Sequence, residues 1–229
     1  MDYNTLFSQI QTYTENIFPD TYLANGSSVS YTAQINTFIQ QAEARIYNTV
    51  QIPSLRKNVT GNCSSTTTYL ACPNDYLSTY SMAIIGTDGS YTYLLNKDVN
   101  FIRESYPDPT ATGTPRYYAL FGSRLNDPNE LSFMLGPKPD ASYGVELHYF
   151  YYPESIVTAG TSWLGDNYSP ALLYGAILEA YVYMKGEADM LAMYNTKYQE
   201  AIQQLNRLGT GLERQDAYRS GQARIKVNP

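Results

Sequence analysis

A chain of 229 residues is long enough for one large domain or two small ones, and can bury roughly 70% of the surface its unfolded form exposes. Only 16% of residues are charged and the formal balance is −6, which excludes a global basic field that would draw in nucleic acid. The 24 tyrosines suit half-buried sheets and contact surfaces equally well, because tyrosine joins a large apolar body to a polar tip.

Residues 1–30 lack a basic start followed by a long apolar run, so no targeting signal is expected. No segment approaches the ~20 apolar residues of a membrane span. From Asp2 to about Ile17, residues Tyr3, Leu6, Phe7, Ile10, Tyr13 and Ile17 recur at three- and four-residue steps, which predicts an amphipathic helix. Asp2 is placed to cap it and Pro19 to stop it. A polar turn around Asn25, Gly26 and Ser27 follows. Thr32 to about Val50 repeats the helical spacing with Ile35, Phe38, Ile39, Ala42, Ile46 and Tyr47, and Pro53 ends it. Two antiparallel helices joined by a loop are predicted.

From about Arg56 to Tyr152 the period changes to two, with strands predicted at 57–63, 67–72, 80–86, 90–96, 99–104, 116–121, 130–135 and 144–152. Asp88-Gly89 marks a tight turn. The segment 105–115, with three prolines, reads as a surface loop. In the last strand Val145, Leu147, Tyr149 and Tyr151 share one face and Glu146, His148, Phe150 and Tyr152 the other, which predicts a second face only partly wet. Short strands with Pro and Gly turns argue for a small sandwich or rolled sheet.

Helical spacing returns near Ser169-Pro170, with Ser169 as cap and Leu172, Leu173, Ala176, Ile177, Ala180, Tyr181 and Met184 as the buried stripe. Glu187 to Leu208 continues it through Met190, Leu191, Tyr194, Tyr198, Ala201, Ile202 and Leu205, and Gly209 and Gly211 are expected to end it. The remaining tail sets Arg214, Arg219, Arg224 and Lys226 against Glu213 and Asp216, and is expected to be disordered in isolation.

Nothing along the chain assembles a catalytic set. His148 is the single histidine and lies mid-strand, a place where histidine is usually structural. No nucleophile elbow, phosphate loop, dinucleotide fingerprint or calcium loop occurs. Asp127, Glu130, Asp140 and Glu146 are scattered acids that would have to converge in space to act as a glycosidase pair, so no enzyme is expected. Cys63 and Cys72 flank what reads as a hairpin; they are expected to be two buried thiols, although a cross-strand pair is geometrically open, and they cannot form a zinc site. Asn25, Asn58 and Asn62 sit in N-x-S/T triplets read as chance matches. Trp163 is expected to wedge the following helix onto the sheet, with sugar stacking as the alternative that it shares with Tyr149, Tyr151 and Tyr152.

These readings give an α+β fold: a helical bundle from 1–52 and 165–208, an inserted antiparallel β-domain at 53–164, and a flexible basic tail at 209–229. The order of INTFIQQAEARIYNTV (35–50), CPNDYL (72–77), YYALFGSRL (117–125), LSFMLGPKPDASYGVELHYFYYP (131–153) and SWLGDNYSPALLYGAILEAYVYM (162–184) resembles the phage head-to-tail adaptor family, the tail tubular protein A-like adaptors of short-tailed phages. The resemblance covers roughly residues 30–208.

The resemblance implies a virion protein assembled in the host cytoplasm, without cofactor, metal or membrane. It implies a ring of copies, twelvefold in that family, between the portal protein and the tail nozzle protein. Genomic DNA would pass through the centre without specific binding and leave by that route at ejection. Partner contacts are then expected at Arg214, Arg219, Arg224 and Lys226, docking on the portal, and at Tyr149 and Tyr151. A tail-completion or glycan-binding tail module is the alternative.

Overall fold

A computed structural model describes residues 1–22, 27–122 and 131–213. Its helices are α1 (Tyr3–Thr14), α2 (Tyr31–Thr49), α3 (Val99–Ser105), α4 (Ile156–Ala159), α5 (Trp163–Asn167), α6 (Ser169–Met184) and α7 (Ala188–Glu213). Its strands are β1 (Thr21–Tyr22), β2 (Ser28–Val29), β3 (Arg56–Cys63), β4 (Tyr69–Ala71), β5 (Tyr76–Ile85), β6 (Tyr91–Tyr93), β7 (Leu95–Asn96), β8 (Tyr117–Phe121), β9 (Ser132–Gly136) and β10 (Tyr143–Tyr151). The fold is α+β. The chain divides into a unit of Met1–Ser54 with Pro153–Pro229, and a unit of Leu55–Tyr152.

In the first unit α6 packs against α1, α2 and α7. Its Ala171, Leu172, Ala176, Ile177 and Ala180 are buried. At Gly175 an added Cβ would lie 3.1 Å from Ala42 Cβ and 3.2 Å from the Tyr198 ring, so the missing side chain sets how closely α2 and α7 approach. Ser169 is already helical and Tyr168 precedes it without a side-chain cap, a correction to the predicted start; Pro170 tolerates the first turn because its missing N–H has no helical partner there.

The Asp2 carboxylate accepts the Thr5 N–H at 2.8 Å, as its position predicts. α1 nevertheless ends at Thr14, before Pro19, because Glu15 turns left-handed with φ 49° and Asn16 N–H closes back on the Gln11 carbonyl. Ile17, expected on the buried face, is therefore 78% exposed. The paired strands β1 and β2 were not foreseen between the helices. The buried Gln34 amide holds this region, reaching the Pro19 and Val29 carbonyls and Thr21 Oγ1. At the other end α7 runs through Gly209 and Gly211 to Glu213, where the sequence predicted a stop. Gly209 is buried against the Gln51 carbonyl, so tertiary packing outweighs the modest helix cost of glycine.

Residues 153–164, read with the β-domain, fall in the helical unit. Buried Glu43 of α2 accepts the Ile156 N–H at 2.9 Å and so caps α4. Ser162 caps α5 through the Gly165 N–H, and the Met1 amino group donates to the Gly165 carbonyl.

The second unit is built from two four-stranded sheets, ordered β3-β10-β5-β6 and β4-β9-β8-β7. Met82, Ile84, Leu94, Phe133, Leu135, Val145 and Leu147 belong to one core cluster. Asp88-Gly89 makes the predicted turn: Gly86 N–H meets the Ser90 carbonyl at 2.8 Å, and Gly89 takes φ 81°, where glycine pays no Cβ penalty. β10 alternates as predicted, with slips in its pairing to β5 after His148 and after Phe150. The second face is indeed only partly wet, because Phe150 is buried there and the Arg56 guanidinium lies 5.0 Å from its ring centre.

Three predictions fail in this unit. The strand read at 90–96 divides at buried Leu94 into β6 and β7, which belong to different sheets. Residues 99–104 form α3, not a strand: Asp98 caps it by accepting the Asn100 N–H at 2.8 Å, and Ile102 packs against Ala119 and Met134. Cys63 and Cys72 do not flank a hairpin, since β3 pairs with β10 and β4 with β9 in different sheets. Both are buried and neither forms a disulfide, and burial pushes the Cys63 thiol up.

Candidate functional site

Among the described residues, the polar groups singled out from sequence do not converge. His148 faces Ser81 Oγ at 3.3 Å from Nδ1. Glu146 accepts from the Asn58 amide, and Asp140 accepts from the Tyr143 hydroxyl. Asp127 and Glu130 lie outside the described residues. Among the described residues no group of three or more His, Cys, Asp and Glu could hold a metal ion, and no helix is long and apolar enough to cross a membrane. Trp163 is half-buried in the first turn of α5, within the helical unit.

Tyr149, expected at a partner surface, is a core residue only 3% exposed. Its hydroxyl donates to Asp75 Oδ1 at 2.8 Å, while Lys57 Nζ meets Asp75 Oδ2 at 2.6 Å. Burial and then the Asp75 hydrogen bond push the Tyr149 hydroxyl up to about 12. For Asp75, burial acts upward but is outweighed by the hydrogen bonds from Lys57 and Tyr149 and by the Lys57 charge, and the carboxyl is held below its ordinary value. Tyr151 is half-buried beneath Lys57, whose Nζ lies 4.1 Å from the ring centre. The cluster Lys57–Asp75–Tyr149–Tyr151 thus ties β3 and β10 to the turn that leads into β5, a structural task. Arg214, Arg219, Arg224 and Lys226 lie outside the described residues.

Contact surfaces are what the structure does offer. In the β-unit, β3 and β4 are edge strands of the two sheets. Between them runs a groove of about 250 Å³, lined by Val59, Gly61, Leu70, Cys72, Phe133 and Leu147. At the opposite edges stand β6 and β7, joined through Leu94, where Tyr93 is 62% and Leu95 60% exposed. In the helical unit a second groove, about 340 Å³, lies between α2 and α6 and includes Phe38, Glu179, Val182 and Tyr183. Sequence reasoning passed over the first groove. Its signal is the run Lys57–Asn62, which reads as a strand but has almost no apolar residues to bury.

Against known proteins, the family described as SU10 adaptor protein matches residues 1–226. No curated protein matches the chain.

Proposed function

This chain belongs to the SU10 adaptor protein family, and from that premise we propose that it is a head-to-tail adaptor whose copies form a ring joining the portal to the tail nozzle. The observation that carries this reading is a family match over residues 1–226, embracing both units. Phage adaptor proteins are structural, which agrees with polar residues that serve as caps and ties. The ring holds twelve copies, is assembled in the host cytoplasm and remains in the virion. A balance of −6 lets DNA slide through its centre without a grip on the phosphates.

Two features support a ring. The β-unit has different apolar surfaces on opposite sides, the groove at β3 and β4 and the exposed tyrosines at β6. Unlike surfaces are what heterologous, head-to-tail contacts require. The helical unit meets the portal, and the β-unit faces neighbouring copies and the nozzle; cross-links running mainly from 57–152 to the portal would reverse that assignment.

The test is complementation. Phage heads made without this chain are expected to carry portal and DNA but no tail, and purified chain should restore tail joining. Tails that join in its absence would overturn the reading.

A further inference from the structure

β3 is the most exposed long strand of the protein. Among the described residues its eight residues pair with β10 alone, along one side, and residues 57–62 are all exposed. An edge of that length presents a row of backbone N–H and C=O groups ready to pair with another strand. Register fixes its faces: Gly61 stands opposite Val145 and Val59 opposite Leu147, so both share the core-facing side. An added Cβ at Gly61 would meet nothing within 4 Å. Thr60, opposite Glu146, and Asn58, opposite His148, share the outer side. A strand laid beside β3 would therefore set every second side chain over the apolar groove and the others over an outer face that carries the Glu146 carboxylate.

The chain itself contains a segment of that pattern. Sixteen residues follow Glu213, and within them Ala223, Ile225 and Val227 alternate with Arg224, Lys226 and Asn228. Two of the three apolar residues are β-branched, and neither Gly nor Pro interrupts the six. With Ile225 and Val227 turned into the groove, Arg224 and Lys226 face outward on the side that carries Glu146 and, four residues along β3 from Thr60, Arg56.

We propose that residues 223–228 of a neighbouring copy dock on β3 as an added strand, with Ile225 and Val227 filling the groove between β3 and β4. The choice of a neighbour as donor rests on the ring reading, since donation from each copy to the next makes a heterologous contact that can close.

The receptor in the test is the full chain carrying Ile225→Asp and Val227→Asp, which disables its own segment. A synthetic peptide of residues 221–229 is titrated onto it, and hydrogen exchange is followed along the chain. Expected are saturable binding, slowed exchange at residues 56–63, and binding weakened at least about tenfold by Gly61→Leu in the chain or Val227→Asp in the peptide. Absence of binding, protection confined to other strands, or peptide binding to the portal alone would overturn the proposal. A second variant identifies the donor: Gly61→Cys with Val227→Cys, oxidised, should give species linked between copies, and links within single copies would overturn donation by a neighbour. A ring that forms on the portal while the peptide fails to bind would remove this contact and leave the ring reading intact. Peptide binding without any ring would do the reverse.

Discussion

The helical unit and the β-unit treat exposed edges in opposite ways. In the helical unit even the connections are tied down: buried Glu43 caps α4, buried Gln34 gathers the carbonyls around β1 and β2, and Arg45 of α2 pairs with Glu179 of α6. The β-unit keeps its polar tie at Lys57, Asp75 and Tyr149, but among the described residues β3 has no strand along its second side, and core residues line the groove there. A lone strand edge is a liability that monomeric proteins blunt. The contrast lies in how edges are held: side chains of the helical unit satisfy the backbone of its own connections, whereas the β-unit presents a strand edge open to a further strand.

The sharpest way to break the comparison is to remove core volume in the β-unit. Phe133→Ala should cost about 3–5 kcal/mol, because the ring is fully buried among Tyr76, Tyr118 and the sheet core. Hydrogen exchange should accelerate across β9 and β10 far more than in α6. Equal acceleration in α6 would contradict a self-sufficient helical unit.

A smaller effect, of the same order as that of the β-unit's polar tie, concerns the Glu43 cap. Glu43→Ala should cost about 1–3 kcal/mol in denaturant melts by orphaning the Ile156 N–H, whereas Glu43→Gln keeps an acceptor and should cost far less. Burial, only partly opposed by the Ile156 and Ser155 hydrogen bonds, raises the Glu43 carboxyl. Its folded pKa therefore lies above the unfolded one, so its protonation adds stability that is full below the unfolded value and disappears as pH rises through the folded value. Glu43→Gln should erase that part of the pH profile, and an unchanged profile would show that Glu43 does not titrate in this way.

Tyr149→Phe tests the β-unit's polar tie and should cost about 1.5–3 kcal/mol, the range for a hydrogen bond to a charged group. Asp75 has the opposite sign to Glu43: its lowered carboxyl adds stability above the unfolded pKa that is lost as pH falls through the folded pKa. The variant should flatten this acid limb of the melting profile. Smallest is Tyr93→Ser on exposed β6, expected within about 0.5 kcal/mol of the parent. If it nevertheless reduces ring assembly, β6 is a contact surface; if assembly is unchanged, that side is free of the ring.

The long helices were legible because their apolar residues keep helical spacing over three turns or more, as Ile35 to Tyr47 do. β5 and β10 were legible through alternation and the Asp88-Gly89 turn. Short elements were not. Over residues 99–104 the period-two reading won in sequence, and only the Asp98 cap and the packing of Ile102 decide for helix. α4 has a local cap in Ser155 and a left-handed Gly160 at its end, but only four residues lie between them, and its Ile156 N–H is satisfied by Glu43, 113 positions away. Tyr149 misled because tyrosine serves cores and surfaces alike, and its buried hydroxyl finds Asp75 only in the fold. The groove was hidden because it is made of what two strands in different sheets lack, a neighbour.

The most direct test of the central claim is an image and mass of this chain mixed with its phage's purified portal. A closed ring carrying one copy per portal subunit is the predicted result. Well-behaved portal and chain that stay separate would contradict it.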